Sequence, residues 1–147
     1  MSTTEQQAKP QMVYTLFCDD VRLEVGNKLS LMGVFHQIVV QHFPVTLLKF
    51  AVVSQWRGEG RHLSEVRILT PDRRQAIVLA EPSPFEVAPG GVANNISFFF
   101  NVEFPAPGHY RVQTLVDSTL ADERELTLLQ VDASGSPAPD ATSEAVN

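Results

Sequence analysis

Few residues in this chain have the type and spacing that chemistry would need. The four histidines are the first candidates for a metal site or for acid–base work. His36 and His42 lie six residues apart, which is about 20 Å along an extended strand. One ion cannot span that. His62 and His109 each stand at the start of an apolar run, near a loop. The chain holds no H-x-H, H-E-x-x-H or C-x-x-C spacing, so the histidines read as loop and surface residues, and no cofactor is expected. Asp19 and Asp20 are adjacent, so on a strand they point to opposite faces and only a loop could aim both at one ion. Asp117, Asp122 and Glu123 could join them from another loop, but mixed with Leu120 they read as turn formers. Cys18 ends an apolar run on the same face as Tyr14 and Leu16, which fits a small buried hydrophobe better than a nucleophile. No G-x-S-x-G elbow or phosphate loop occurs. Pro89-Gly90-Gly91 lacks the lysine and helix a phosphate needs, and is expected to be a bend or bulge. No catalytic constellation is visible, so no enzyme is expected.

Two non-catalytic possibilities survive. Between 57 and 74, Arg57, Arg61, Arg67, Arg73 and Arg74 outnumber Glu59, Glu65 and Asp72, and Trp56 stands beside them. Loops around Trp56, Arg57 and Arg61 could stack on a small ligand or hold an anion. The competing reading is a solvated hairpin of mixed charge. The net charge of −6 speaks against nucleic acid as a partner. The other possibility is an interface, and it follows from the strand pattern.

That pattern runs the length of 11–132. Nine short segments are rich in Val, Ile, Leu, Phe and Thr and are punctuated by Gly, Pro and Asp: 12–18, 28–34, 37–42, 46–54, 63–69, 75–80, 95–104, 109–117 and 124–131. No window carries a helical stripe over three turns, and 19–24 is the one place where a single helical turn would fit. Eight or nine strands at this spacing predict an all-β domain, a two-sheet immunoglobulin-like sandwich, with a closed barrel as second choice. Residues 1–10 and 133–147 offer almost no large apolar side chains, so both ends are expected to be disordered. No apolar run reaches the roughly 18 residues of a membrane helix, and the polar first ten residues predict no secretory signal.

Period-two alternation also predicts registers. Val66 and Ile68 should face Leu79 and Ile77 across a Pro71–Arg74 loop. Val21 and Leu23 should share a face with Leu29 and Leu31, which requires an odd loop, Gly26-Asn27-Lys28. The fullest agreement joins 95–104 to 109–117. Phe104 opposite Tyr110 places Val102 opposite Val112 and Phe100 opposite Thr114, all inward. Glu103 then faces Arg111 and Asn101 faces Gln113 on the outer side, and the next outer pair is Phe99 with Leu115. An apolar outer pair marks Phe99 and Leu115 as a candidate interface.

Several of these segments together resemble a known family. Cys18-Asp19-Asp20-Val21, the run from Gly26 to Phe35 (G-N-K-L-S-L-M-G-V-F), Pro44, and Pro107-Gly108-His109-Tyr110-Arg111-Val112 are similar to a family of small bacterial proteins catalogued only as a domain of unknown function. The resemblance spans roughly 12–131. It implies a β-sandwich in a bacterial, cytoplasmic protein, and it implies no activity and no functional residues. The expected function is therefore a non-catalytic interaction or scaffold module. Its partner is an unknown protein or a second copy in a homo-oligomer, with no membrane involved.

Overall fold

A computed structural model describes residues 9–137. The fold is all-β: β1 (Gln11–Glu24), β2 (Lys28–Phe35), β3 (Gln37–Val40), β4 (Val45–Leu69), β5 (Ala76–Leu79), β6 (Ser83–Phe104), β7 (Gly108–Val116) and β8 (Thr119–Gln130). No helix forms among the described residues, and 19–24 continues β1 rather than turning. Hydrogen bonding is continuous in the order β2-β1-β4-β7-β8-β3, with β5 and β6 also paired to β4. Both expected disordered ends fall mainly outside the described residues. At their inner margins Pro10 is buried against Gly58, and Asp132 accepts hydrogen bonds from the Ser134 and Ser136 N–H groups.

β4 organises the molecule. Its first part, 45–58, pairs with β1 and with 91–104 of β6, and its last part, 60–69, pairs with β5, β7 and the start of β6. The expected strands at 46–54 and 63–69 are thus one. The intervening Gln55–His62 contains two glycines and looks like a loop in sequence. Gly58 and Gly60 instead let the strand bend and shift register while its pairing with β6 goes on. β6 bends at the same level, at Gly90-Gly91, which is the expected bulge.

Bent in this way, the two halves of β4 share one core. Phe17, Phe50, Val52, Phe99, Val102 and Phe104 come from one half of the pairing network, and Val66, Ile68, Tyr110, Val112, Leu126 and Leu128 from the other. Phe50 stacks on Phe99 with ring centroids 5.2 Å apart. Tyr110 donates a 2.6 Å hydrogen bond to the Ala106 carbonyl, which ties the loop before β7 to the core. Burial of each such aromatic contributes ~1.5–3 kcal/mol.

The β1–β2 register keeps the expected faces with an offset, whereas the β4–β5 register does not. Val21 and Leu23 do pair with Leu31 and Leu29, across the three-residue loop Val25-Gly26-Asn27, one residue earlier than expected. The Pro71–Arg74 loop lies between Thr70 and Gln75 as expected, its Arg73 N–H bonding to the Thr70 carbonyl. A bulge between Ile68 and Leu69 then slips the pairing by one residue, so that Ile68 lies opposite Val78 rather than Ile77, and Leu79, expected inward, stands exposed opposite Arg67.

The long register proposed between 95–104 and 109–117 does not form. β6 pairs with β4 (Phe104 opposite Val45), and β7 lies between β4 and β8. Phe104 and Tyr110 do meet, edge to face at 5.0 Å, but across the core rather than along a ladder. The strict alternation also fails locally. Asn101 has φ of 54°, and inward residues run Phe99, Val102, Phe104 rather than 98, 100, 102, 104. Leu48, opposite this irregularity in β4, is 74% exposed between inward Leu47 and Phe50. The two strands reverse face together, so their pairing stays in step.

Candidate functional site

The outward face of β1, β2, the first part of β4 and the last part of β6 is apolar. Cys18, Ala51 and Val53 lie fully buried on it, covered by Tyr14, Val21, Leu29, Leu31 and Ile96. Two aromatic residues extend this face to its rim. Phe98 stands opposite Ala51 and Phe100 opposite Lys49, so they share the face. They are 40% and 60% exposed, and their rings stack at 6.3 Å. Lys49 Nζ lies 5.1 Å from the Phe98 ring centroid and 2.9 Å from Asp20 Oδ1. Its ammonium holds the Asp20 carboxyl below the usual carboxylate range. Next to Phe98 and Phe100 runs a free edge. Over 91–104, β6 pairs with β4 on one side, and among the described residues no strand pairs on the other.

Around the corner from this rim an open cleft of about 660 Å³ lies between the end of β2 and the start of β4. Phe35, Ile38, Leu47 and Phe50 line its apolar floor, and Asp19, Gln37, Thr46 and Lys49 supply polar groups. Gly33 fixes one wall. Its φ is +68°, and the Asp19 carboxyl occupies the place a Cβ would take. The cleft has the mixture of apolar wall and few polar groups that small ligands use.

Other titratable groups are tied down. Buried His62 donates from Nδ1 to Asp117 Oδ2 at 2.8 Å, and its Nε2 faces the Glu59 carbonyl at 2.9 Å. Burial alone would raise the Asp117 carboxyl, but the His62 ring and the Leu63 N–H outweigh it and leave that carboxyl lowered. His62 thereby anchors the β7–β8 turn, where Asp117 and Ser118 have φ of 52° and 69°. Arg73 and Gln113 both donate to Glu123, lowering its carboxyl to about 2. Burial raises the Cys18 thiol. His36, His42 and His109 are exposed, and no group of three or more His, Cys, Asp and Glu among the described residues is placed to hold a metal ion.

The sequence candidates are placed differently from their expectation. Phe99 is 3% exposed in the core, and Leu115, half-buried on β7, is not its neighbour in a ladder. The outward assignment is corrected by the reversal at Asn101, which turns Phe99 in and Phe98 and Phe100 out. Trp56 is fully buried and stacks on Phe85 at 5.5 Å, so it cannot face a ligand. Arg57 is exposed, and Arg61 is exposed beside Glu86 at 3.6 Å. The proposed patch of Trp56, Arg57 and Arg61 is not assembled. The signal for Phe98 and Phe100 was in the sequence, as three consecutive phenylalanines of which a strand can bury only alternate ones.

A family model described as "Family of unknown function (DUF6941)" matches residues 13–129. The chain belongs to this family. That is the kind of family its Gly26–Phe35 and Pro107–Val112 segments resemble. No curated protein matches this DUF6941 chain. Among solved structures it is similar to a Pseudomonas fluorescens alkylpurine DNA glycosylase, AlkC, bound to DNA containing an abasic site analog, with TM-score 0.53 and 10% identity over 84% of this chain and 31% of that one. It is also similar to a beta-glucosidase from Listeria innocua, with TM-score 0.46 and 10% identity over 81% of this chain and 16% of that one. An immunoglobulin-like protein from Pseudomonas aeruginosa matches with TM-score 0.43 and 13% identity over 84% of this chain and 98% of that one. The DUF6941 chain thus spans about a third or less of the two enzymes, and likeness at such identities concerns fold alone.

Proposed function

We propose that this chain is a non-catalytic interaction or scaffold module of the bacterial cytoplasm, and that it binds protein through β6. One observation carries the reading: exposed Phe98 and Phe100 border a strand edge along which no strand pairs among the described residues. Such an edge captures another strand through main-chain hydrogen bonds, while side chains on alternate positions select it. The test is affinity capture with cross-linking and mass spectrometry, using wild type and Phe98→Lys/Phe100→Lys as baits. Cross-links from β6 to a protein, or to a second copy of the chain, that vanish in the variant support the module. Their absence from wild type, or their persistence in the variant, rejects it.

A second reading, a small-ligand or anion-binding protein, is favoured by the cleft at Asp19, Gly33 and Lys49. It moves the binding role away from Trp56 and Arg57. Saturable stabilisation by one compound in a thermal-shift screen, abolished by Lys49→Met, would support it.

A further inference from the structure

We propose that the cleft between the end of β2 and the start of β4 binds a small organic ammonium with an apolar, aromatic body, and that Asp19 is its counter-ion. The inference rests on the small-ligand reading and names the charge of the ligand. The cleft opens onto the core. Phe50 belongs to that core, and Phe35, Ile38 and Leu47 pack against it, so an apolar body entering here extends the core outward. The floor is aromatic at its centre, where Phe35 lies 6.2 Å from Phe17 and edge-on to Phe50 at 6.5 Å. A volume of about 660 Å³ is within the range that small ligands occupy.

The charged groups beside the cleft are not equivalent. Lys49 is turned away from it: its ammonium lies 2.9 Å from Asp20 Oδ1 and 5.1 Å from the centre of the Phe98 ring, on the outward face. There the lysine and Asp20 neutralise one another. Asp19 lines the cleft and is exposed, and its carboxylate forms no ion pair or side-chain hydrogen bond among the described residues. Its position against Gly33, where a Cβ would stand, sets that charge in the cleft wall. An uncharged molecule covering this carboxylate strips water from it and returns nothing, and an anion is repelled by it. A cation supplies the missing partner. A metal ion needs several ligands, and no group of three or more His, Cys, Asp and Glu among the described residues is placed to hold one. For an ammonium one carboxylate suffices, with the Thr46 hydroxyl and the Gln37 amide as further acceptors in the same lining. The net charge of −6 also draws cations to the molecule.

Three probes of one shape separate the possibilities: phenethylamine as the cation, phenethyl alcohol as the neutral molecule and hydrocinnamate as the anion. In NMR titrations of the full chain, phenethylamine should shift the Gly33, Ile38 and Leu47 amides saturably. It should bind about tenfold or more tighter than the alcohol, and hydrocinnamate should not bind. Asp19→Asn should remove that advantage of the amine over the alcohol. Glu81→Gln, the same change of charge at an exposed residue outside the cleft, should bind the amine as wild type does. If Asp19→Asn unfolds, Gln37→Lys replaces it: this variant brings a cation of its own to the cleft and should abolish amine binding. Equal affinity for amine and alcohol in wild type, or an amine preference that survives in Asp19→Asn, overturns the proposal while the cleft remains a small-ligand site. Binding of hydrocinnamate that is lost in Lys49→Met overturns it in favour of an anion site. If none of the three probes shifts the cleft amides the proposal also falls, and an empty thermal-shift screen beside that result defeats the small-ligand reading with it.

Discussion

Gly33 shows how much one residue's identity matters beside the cleft. A methyl group there would meet the Asp19 carboxyl and hold an unfavourable φ. Gly33→Ala is expected to lower stability by about 1–3 kcal/mol, read as a fall in the urea midpoint. Adding Asp19→Ala should restore only the part due to collision, so the double-mutant cycle separates contact from backbone strain. Glu123 gives a pH signature. Its carboxyl is lowered to about 2 from an ordinary 4.5 by Arg73 and Gln113. The stabilisation this supplies is present above 4.5 and is lost as pH falls toward about 2. The melting-temperature gap between wild type and Glu123→Gln should therefore be widest near neutral pH and close on acidification. At this scale the sequence was partly legible. Cys18 as a small buried residue and Asp117 as a turn former could be read from their neighbours. Trp56 could not, because burying an indole next to Arg57 and Gly58 depends on a bend that only the partner strand explains.

Among elements, β6 carries the main lesson. Five apolar residues alternating from Ile96 to Phe104 imply one continuous face, and the expected ladder with β7 rested on it. Asn101 reverses the alternation midway, and Leu48 makes the matching reversal in β4. A paired irregularity leaves no trace in either strand read alone. It also makes neighbouring phenylalanines unequal. Phe99→Ala is expected to cost ~3–5 kcal/mol, and Phe100→Ala less than ~1 kcal/mol, in denaturant unfolding followed by circular dichroism. Equal losses would place both rings in the core and remove the exposed rim. The β1–β2 hairpin was more legible in its faces, since an odd loop around Gly26-Asn27 fixes which side chains share a side, whereas the Pro71 turn between β4 and β5 was legible but the bulge beside Leu69 that flips β5 was not.

For the whole molecule, the all-β class was clear from composition and punctuation, while the topology was not. A strand of 25 residues that serves both halves looks like two strands in sequence, because glycines mark a bend and an ending alike. With β4 common to both halves and a core drawn from each, the domain is expected to unfold as one unit. Phe99→Ala and Leu126→Ala lie in different halves, yet each should shift the same single transition. Fluorescence of buried Trp56 and far-ultraviolet circular dichroism should trace coincident curves, and two separated transitions would show that the halves are independent.

The continuous pairing of β4 with β6 also sets an order for chain closure. Ser64 with Ser83 lies nearest the turn, and Val45 with Phe104 lies at the far end. The loop closed by the outer pair is about three times longer, which adds about 1 kcal/mol of entropy if it closes first. The hairpin is therefore expected to zip from Ser64–Ser83 outward, placing Phe98–Phe100 late in the sequence of events. Contacts this distant in sequence place the domain among slow-folding β-proteins, on a scale of milliseconds to seconds. A nascent chain released before residue 104 is made lacks the strand that completes β4, and for that interval β4 itself is the open edge.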